Sequence, residues 1–304
     1  MADKTHIEWT EATWNPVTGC SKVSAGCKHC YAEREWARLS ANPKTRYHGR
    51  SFNEVQYHSD VLELPLHWKR PRRIFVNSMS DLFHGAVPDR FIADVFGIMA
   101  ATPWHTYQVL TKRPQRMRDL LRAGCMGRFE ADAEECAALY TDQWPLDWPL
   151  KNVWLGVSVE DQETADERIP ILLDTPAWTR WVSAEPLLGP VDILGYLDGL
   201  AVNADISRPN VDWVVAGGES GANARPMHPQ WARSLRDQCT AADAPFLLKQ
   251  WGEWSPLRWG TLVAPEPDLH AFGDGQAMIK VGKKTAGRLL DGKLHDDYPI
   301  EVPF

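Results

Sequence analysis

Seven short runs rich in β-branched and aromatic residues, each followed by a polar loop, constrain this chain more than any other feature. They are Ala12–Val17, Arg73–Ser78, His105–Thr111, Asn152–Val159, Thr179–Ala184, Val211–Gly217 and Pro245–Gln250. Helical patterns lie between them, over Tyr31–Ser40, Asp89–Ala101, Gln115–Ala123, Gln162–Leu173 and Pro229–Ala241. Pro88, Pro114 and Pro229 stand at or beside helix starts, where a missing N–H leaves nothing unsatisfied. Strands alternating with helices predict βαβ units and a mainly parallel sheet. At 304 residues, one large α/β unit can bury a sizeable core. Segments 41–68 and 124–150 break the alternation and read as insertions, the second a Trp- and Pro-rich loop with structural Cys125 and Cys136. After Trp254 the chain becomes loop-rich, so the expected organisation is an α/β unit over 1–254 and an extension over 255–304 packed on it.

Parallel α/β folds keep their chemistry at the carboxyl ends of the strands. Here those ends read Asn77-Ser78-Met79-Ser80-Asp81, Lys112-Arg113-Pro114, Glu160-Asp161, Glu185-Pro186, Gly217-Gly218-Glu219 and Gln250-Trp251-Gly252. A polar residue at a strand end six times running points to a site on one rim. Lys112 and Arg113 suit a carboxylate or phosphate through charge-assisted bonds. Glu185 is an inward carboxylate candidate. The run from Gly217 lacks G-x-G-x-x-G spacing, and Ser220 is not framed as a nucleophile elbow. Gly217 and Gly218 are therefore expected to admit a ligand close to the backbone, with Glu219 as acceptor or acid/base.

The strongest local signal is Gly19-Cys20-Ser21-Lys22-Val23-Ser24-Ala25-Gly26-Cys27-Lys28-His29-Cys30-Tyr31. Three thiolates around one Gly-flanked loop suit a soft centre, iron–sulfur or zinc. A [4Fe-4S] cluster normally takes four cysteines, so three leave one iron open to a substrate or cofactor. The zinc reading needs His6 or His29 as fourth ligand. Cys125, Cys136 and Cys239 stand alone and far off in sequence.

Such a loop after the first strand resembles the radical S-adenosylmethionine (SAM) superfamily. The head HIEWTEATWNPVTGCSKVSAGCKHCYAE resembles, more narrowly, the phage-associated three-Cys-motif proteins of unassigned function. The likeness runs on through NSMSDLFH, LTKRP, GVSVE, AEPLLGP, GGESG, KQWGEW and GKKTAGRLLDG, nearly the whole chain. It implies a partial (β/α) barrel of radical SAM type, a [4Fe-4S] cluster on Cys20, Cys27 and Cys30, and SAM on the open iron. It also implies a reductant protein of flavodoxin or ferredoxin type. By position, His29 would lie near the adenine, Asn77, Ser78 and Asp81 near the SAM amino group, and Ser158 and Glu160 near ribose hydroxyls. One departure is plain: the superfamily spacing is CxxxCxxC, and this chain has Cx6CxxC.

The expected function is thus reductive SAM cleavage to modify or repair a substrate, with a nucleic-acid base or nucleotide the first choice. The runs KRPRR (Lys69–Arg73) and KRPQRMR (Lys112–Arg118) and fifteen Trp residues support that choice. A metal-bound nucleic-acid- or partner-binding module without catalysis, and an iron–sulfur enzyme not using SAM, are the alternatives. The net charge is −7, yet residues 1–75 carry 12 Lys/Arg against 8 Asp/Glu, so a local basic face is compatible with it. No apolar run is long enough to span a bilayer, and the N-terminus lacks a secretory pattern, so the expected compartment is the cytoplasm. There, cysteines serve as thiols or ligands rather than disulfides.

Overall fold

The computed structural model describes residues 5, 7–142, 146–197, 209–257 and 269–300. The chain opens with β1 (Ala12–Trp14) and the two-residue β2 (Val17–Thr18), then passes through the cysteine loop into α1 (Tyr31–Ser40). The short β3 (Gln56–Tyr57) pairs back on β2. Next come β4 (Arg73–Val76), α2 (Asp89–Ala101), β5 (Thr106–Thr111), α3 (Pro114–Leu121) and α4 (Ala123–Ala137). They are followed by β6 (Val153–Val159), α5 (Gln162–Leu173), β7 (Thr179–Ala184) and the single-turn α6 (Leu194–Leu197). β8 (Trp213–Gly217), α7 (Pro229–Ala241) and β9 (Phe246–Gln250) complete the alternation. A small antiparallel sheet of β10 (Trp254–Pro256), β11 (Leu269–Ala271) and β12 (Ala277–Lys280) follows, then α8 (Lys283–Ala286).

The main sheet has seven strands in the order β1-β4-β5-β6-β7-β8-β9, all neighbours parallel, curled into a half-barrel. This is the parallel sheet the alternation predicts, in the partial (β/α) barrel that the resemblance implies. Because side chains alternate across a strand, each run supplies two faces. Ile74, Val76, Tyr107, Val109, Leu155, Val157, Val182, Val214 and Leu248 point outward into the core under the helices. Phe75, Trp154, Trp181, Trp213, Val215 and Leu247 point inward and, with Trp9, fill the floor of the lumen. Their rings pack edge-on or tilted, Trp9 at 5.2 Å from Trp181 and Trp181 at 5.3 Å from Trp213. Gly156 is required on that face, since a Cβ there would meet the Trp181 indole at 2.5 Å. Trp-richness is therefore largely a packing feature: Trp9, Trp14, Trp181, Trp213 and Trp251 are all fully buried.

The chain's end seals the floor. Leu248 donates its N–H to the His295 carbonyl at 3.1 Å, and Trp213 Nε1 donates to the Asp297 carbonyl at 2.9 Å. Tyr298 stacks on Trp213. Segment 124–150, expected to be a loop, instead carries α4, whose Phe129, Ala133 and Cys136 pack into the main core beside α2. Among the described residues no helix is long and apolar enough to cross a membrane.

Candidate functional site at the carboxyl rim

The cysteine loop is fastened to the rim at its start and middle, and runs at its end into α1. Gly19 N donates to the Met79 carbonyl at 3.2 Å and Cys20 N to the Phe52 carbonyl at 2.9 Å. A 3-10 turn over Ala25–Cys27 follows, and Ser24 Oγ donates to Glu160 Oε1 at 2.9 Å. Gly26 lies so close to Glu160 that a Cβ would meet its carboxylate at 2.4 Å. Cys30 then starts α1, its carbonyl accepting from Arg34 N at 3.1 Å. All three thiols line one cavity of ≈ 220 Å³ that runs down to Trp9 and Phe75 in the lumen. Burial, helped by the Asp81 carboxylate, pushes Cys20 up to about 11, and burial raises Cys30 as well.

His29, Asn77, Ser78, Asp81, Lys112, Ser158, Glu185, Gly218 and Glu219 line this same cavity. The rim carboxylates are not free, however. Asp81 accepts from Thr111 Oγ1 at 2.8 Å, Phe83 N at 3.0 Å, Lys112 N at 3.1 Å and Arg113 Nη1 at 2.9 Å. Glu219 accepts from Arg225 Nη2 at 2.6 Å, Arg225 N at 2.8 Å and His29 Nδ1 at 3.0 Å. Burial alone would raise Glu219, but the hydrogen bonds from Arg225 and His29 outweigh it and hold the carboxyl below its ordinary value. Glu185 pairs with Lys249 Nζ at 2.8 Å and accepts from Gln250 Nε2 at 3.3 Å.

Several positions serve differently from what their place in the sequence implies. Glu160, expected beside a ribose, is fully buried away from the cavity, between Lys112 Nζ and Arg168 Nη1. Gly217 is buried and does not line the cavity, while the close backbone approach at Gly218 is the chain's own: a Cβ there would meet the Trp251 carbonyl at 2.1 Å. Asn77 spends its Oδ1 on Val17 N at 3.1 Å, whereas its Nδ2 is buried without a partner among the described residues. Ser78 Oγ donates to Asn15 Oδ1 at 3.1 Å. In the KRPQRMR run, Arg113, Arg116 and Arg118 pair with Asp81, Asp89 and Asp174, so its arginines meet the chain's own acids. Lys249 was legible only as the inward residue that follows outward Leu248 in an alternating strand.

The donor chemistry fits a polynuclear centre. Among the described residues no three His, Cys, Asp or Glu side chains converge as ligands of a single ion. An iron–sulfur cluster makes another demand, one thiolate to each of several irons, and three cysteines around one cavity can meet it. His6 and the Cys125 side chain lie outside the described residues. Cys136 and Cys239 are buried elsewhere, in α4 and α7.

A family model described as a protein of unknown function, DUF5131, matches residues 4–299, and the chain belongs to that family. No match was found among curated proteins. Among solved structures the chain is similar to a spore photoproduct lyase complexed with dinucleoside spore photoproduct, at 8% identity and a TM-score of 0.39. That alignment covers 87% of this chain and 66% of the lyase chain.

Proposed function

We propose that this member of the family is an iron–sulfur enzyme of radical SAM type whose substrate enters the lumen of the half-barrel. The observation that carries the reading is that Cys20, Cys27 and Cys30 open on one cavity continuous with that lumen. These residues would hold a [4Fe-4S] cluster, which when bound supplies the electron for reductive cleavage of SAM. Because burial holds the Cys20 and Cys30 thiols protonated near neutrality, loading releases protons and is favoured as pH rises. Glu219, kept ionised by Arg225, orients His29 at the cavity wall rather than supplying a proton. Glu185 and Lys249 place an acceptor and a donor side by side in the lumen, over the aromatic floor. A planar, hydrogen-bonding substrate such as a nucleic-acid base suits that wall, and a small reductant protein would serve the rim.

The test is anaerobic reconstitution. The protein is expected to hold about four irons per chain, and SAM to perturb the reduced cluster's electron paramagnetic resonance signal and yield 5′-deoxyadenosine. Alanine at Cys20, Cys27 or Cys30 should abolish iron binding, and alanine at Cys136 or Cys239 should leave it. Stoichiometric zinc without iron, or no metal at all, overturns the reading.

A further inference from the structure

We infer that Arg113 poises the cluster's reduction potential by donating an N–H···S hydrogen bond to the Cys20 sulfur, an inference that rests on the cluster assignment above. Arg113 Nη1 lies 3.7 Å from Cys20 Sγ, within reach for a sulfur acceptor. Its orientation is fixed from three sides. The same Nη1 donates to Asp81 Oδ2 at 2.9 Å, Nη2 donates to both the carbonyl and the Oγ of Ser21 at 3.0 Å, and the backbone N–H donates to Thr111 Oγ1 at 2.8 Å. Asp81 in turn is held by Thr111, Phe83 and Lys112, so the anchor cannot swing. Arg113 thereby also grips Ser21, the first residue of the six-residue gap between Cys20 and Cys27.

The three sulfurs are not alike. Cys30, at the start of α1, makes no side-chain capping hydrogen bond, and Cys27 is met by the neutral Ser24 hydroxyl at 3.8 Å. Among the described residues Cys20 alone receives a side-chain cation. Reduction adds negative charge shared by the ligand sulfurs, so a cation and its N–H at one of them favours the reduced form. Guanidinium stays charged at any working pH. The side chain is only 15% exposed, so water screens it weakly. Arg113 is a positioning residue here: it acts through the ligand and not on substrate.

The experiment is a potentiometric titration of reconstituted protein, with iron counted in parallel. Arg113→Gln is expected to keep its iron and to shift the reduction equilibrium at least tenfold toward the oxidised form, about 59 mV lower for one electron. Asp81→Asn combined with Arg113→Gln removes both charges, and should keep part of the fall. Full recovery in the double variant would assign the effect to an unpaired Asp81 and overturn the inference. So would an unshifted potential at full iron, or loss of iron from a folded Arg113→Gln protein, which would make Arg113 a loop clamp only. If Arg113→Gln does not fold, Arg113→Lys decides, because one ammonium can satisfy Asp81 but not Cys20 and Ser21 as well. A smaller fall is then expected, and none overturns the proposal. Wild-type protein that takes up no iron defeats the cluster assignment instead, a separate result.

Discussion

Replacing Glu160 by glutamine tests whether the rim acids are scaffold. The Glu160 side chain is 0% exposed and sits between Lys112 Nζ and Arg168 Nη1, with Ser24 Oγ on the same carboxylate. Glutamine keeps the shape and removes the charge. Lys112, at 19% exposure, can turn toward water, but Arg168, at 3%, cannot. Its guanidinium would keep the Ser158 carbonyl at 2.7 Å and lose its nearer, buried counter-charge, leaving the exposed Glu167 carboxylate at 3.9 Å. Removing one partner of a buried pair costs about 3–5 kcal/mol, a large share of a domain's total of about 5–15 kcal/mol. Urea unfolding followed by tryptophan fluorescence and circular dichroism measures it, with the slope checked for two-state behaviour. Arg168→Met added to Glu160→Gln should recover much of the loss, because the stranded charge goes too. A single variant within about 1 kcal/mol of wild type, on that same scale of buried-pair losses, would refute the reasoning.

Two further outcomes follow from the site. Gly26→Ala must push the cysteine loop off Glu160, since the added Cβ would stand 2.4 Å from its carboxylate. It should lower iron per chain several-fold with the circular dichroism of the barrel unchanged, and normal iron loading would show that the loop moves freely. Glu219 has a folded-state pKa below its unfolded one, so it stabilises the fold above the ordinary carboxylate range and that contribution fades as pH falls through the folded value. Glu219→Gln should flatten the acid side of a stability-versus-pH curve, and an unaltered acid slope would count against the Arg225 and His29 assignment.

The alternation of strands and helices was readable because the strand runs carry a period-2 code, most plainly where outward aliphatics alternate with inward tryptophans. β6 is the clearest case: Val153, Leu155, Val157 and Val159 face the helices, and Trp154, Gly156 and Ser158 face the lumen. α4 was not readable, because its sequence AGCMGRFEADAEECA opens with two glycines and has no capping side chain. That helix is held by α2 instead. Gly97 of α2 lets them close up, since a Cβ there would meet the Ala133 carbonyl at 2.6 Å. A contact between residues so far apart leaves no trace in a local pattern. The β10–β12 sheet was missed for a related reason, its three- and four-residue strands being too short for any period.

For the site, position was legible and duty was not. Polar residues at strand ends must gather on one rim, whatever their roles. What each does depends on a partner the chain supplies from elsewhere: Arg113 for Asp81, Lys112 and Arg168 for Glu160, Arg225 and His29 for Glu219, Lys249 for Glu185. The physical demand behind these pairings is common to all four. If the three thiols load a cluster as proposed, they must shed protons, and they cannot share a half-buried cavity with unpaired carboxylates, because like charges at that depth are weakly screened and each carboxylate would hold the thiol protons on, as Asp81 already does at Cys20. Matching every rim acid with a cation removes most of that opposition and fastens the loop in the same stroke. On the proposed reading Asp81, Glu160 and Glu219 are then framework, and contact with a substrate falls to groups in the lumen: the Glu185–Lys249 pair, Ser158, Ser183 and the amide of Asn77, which has no partner among the described residues.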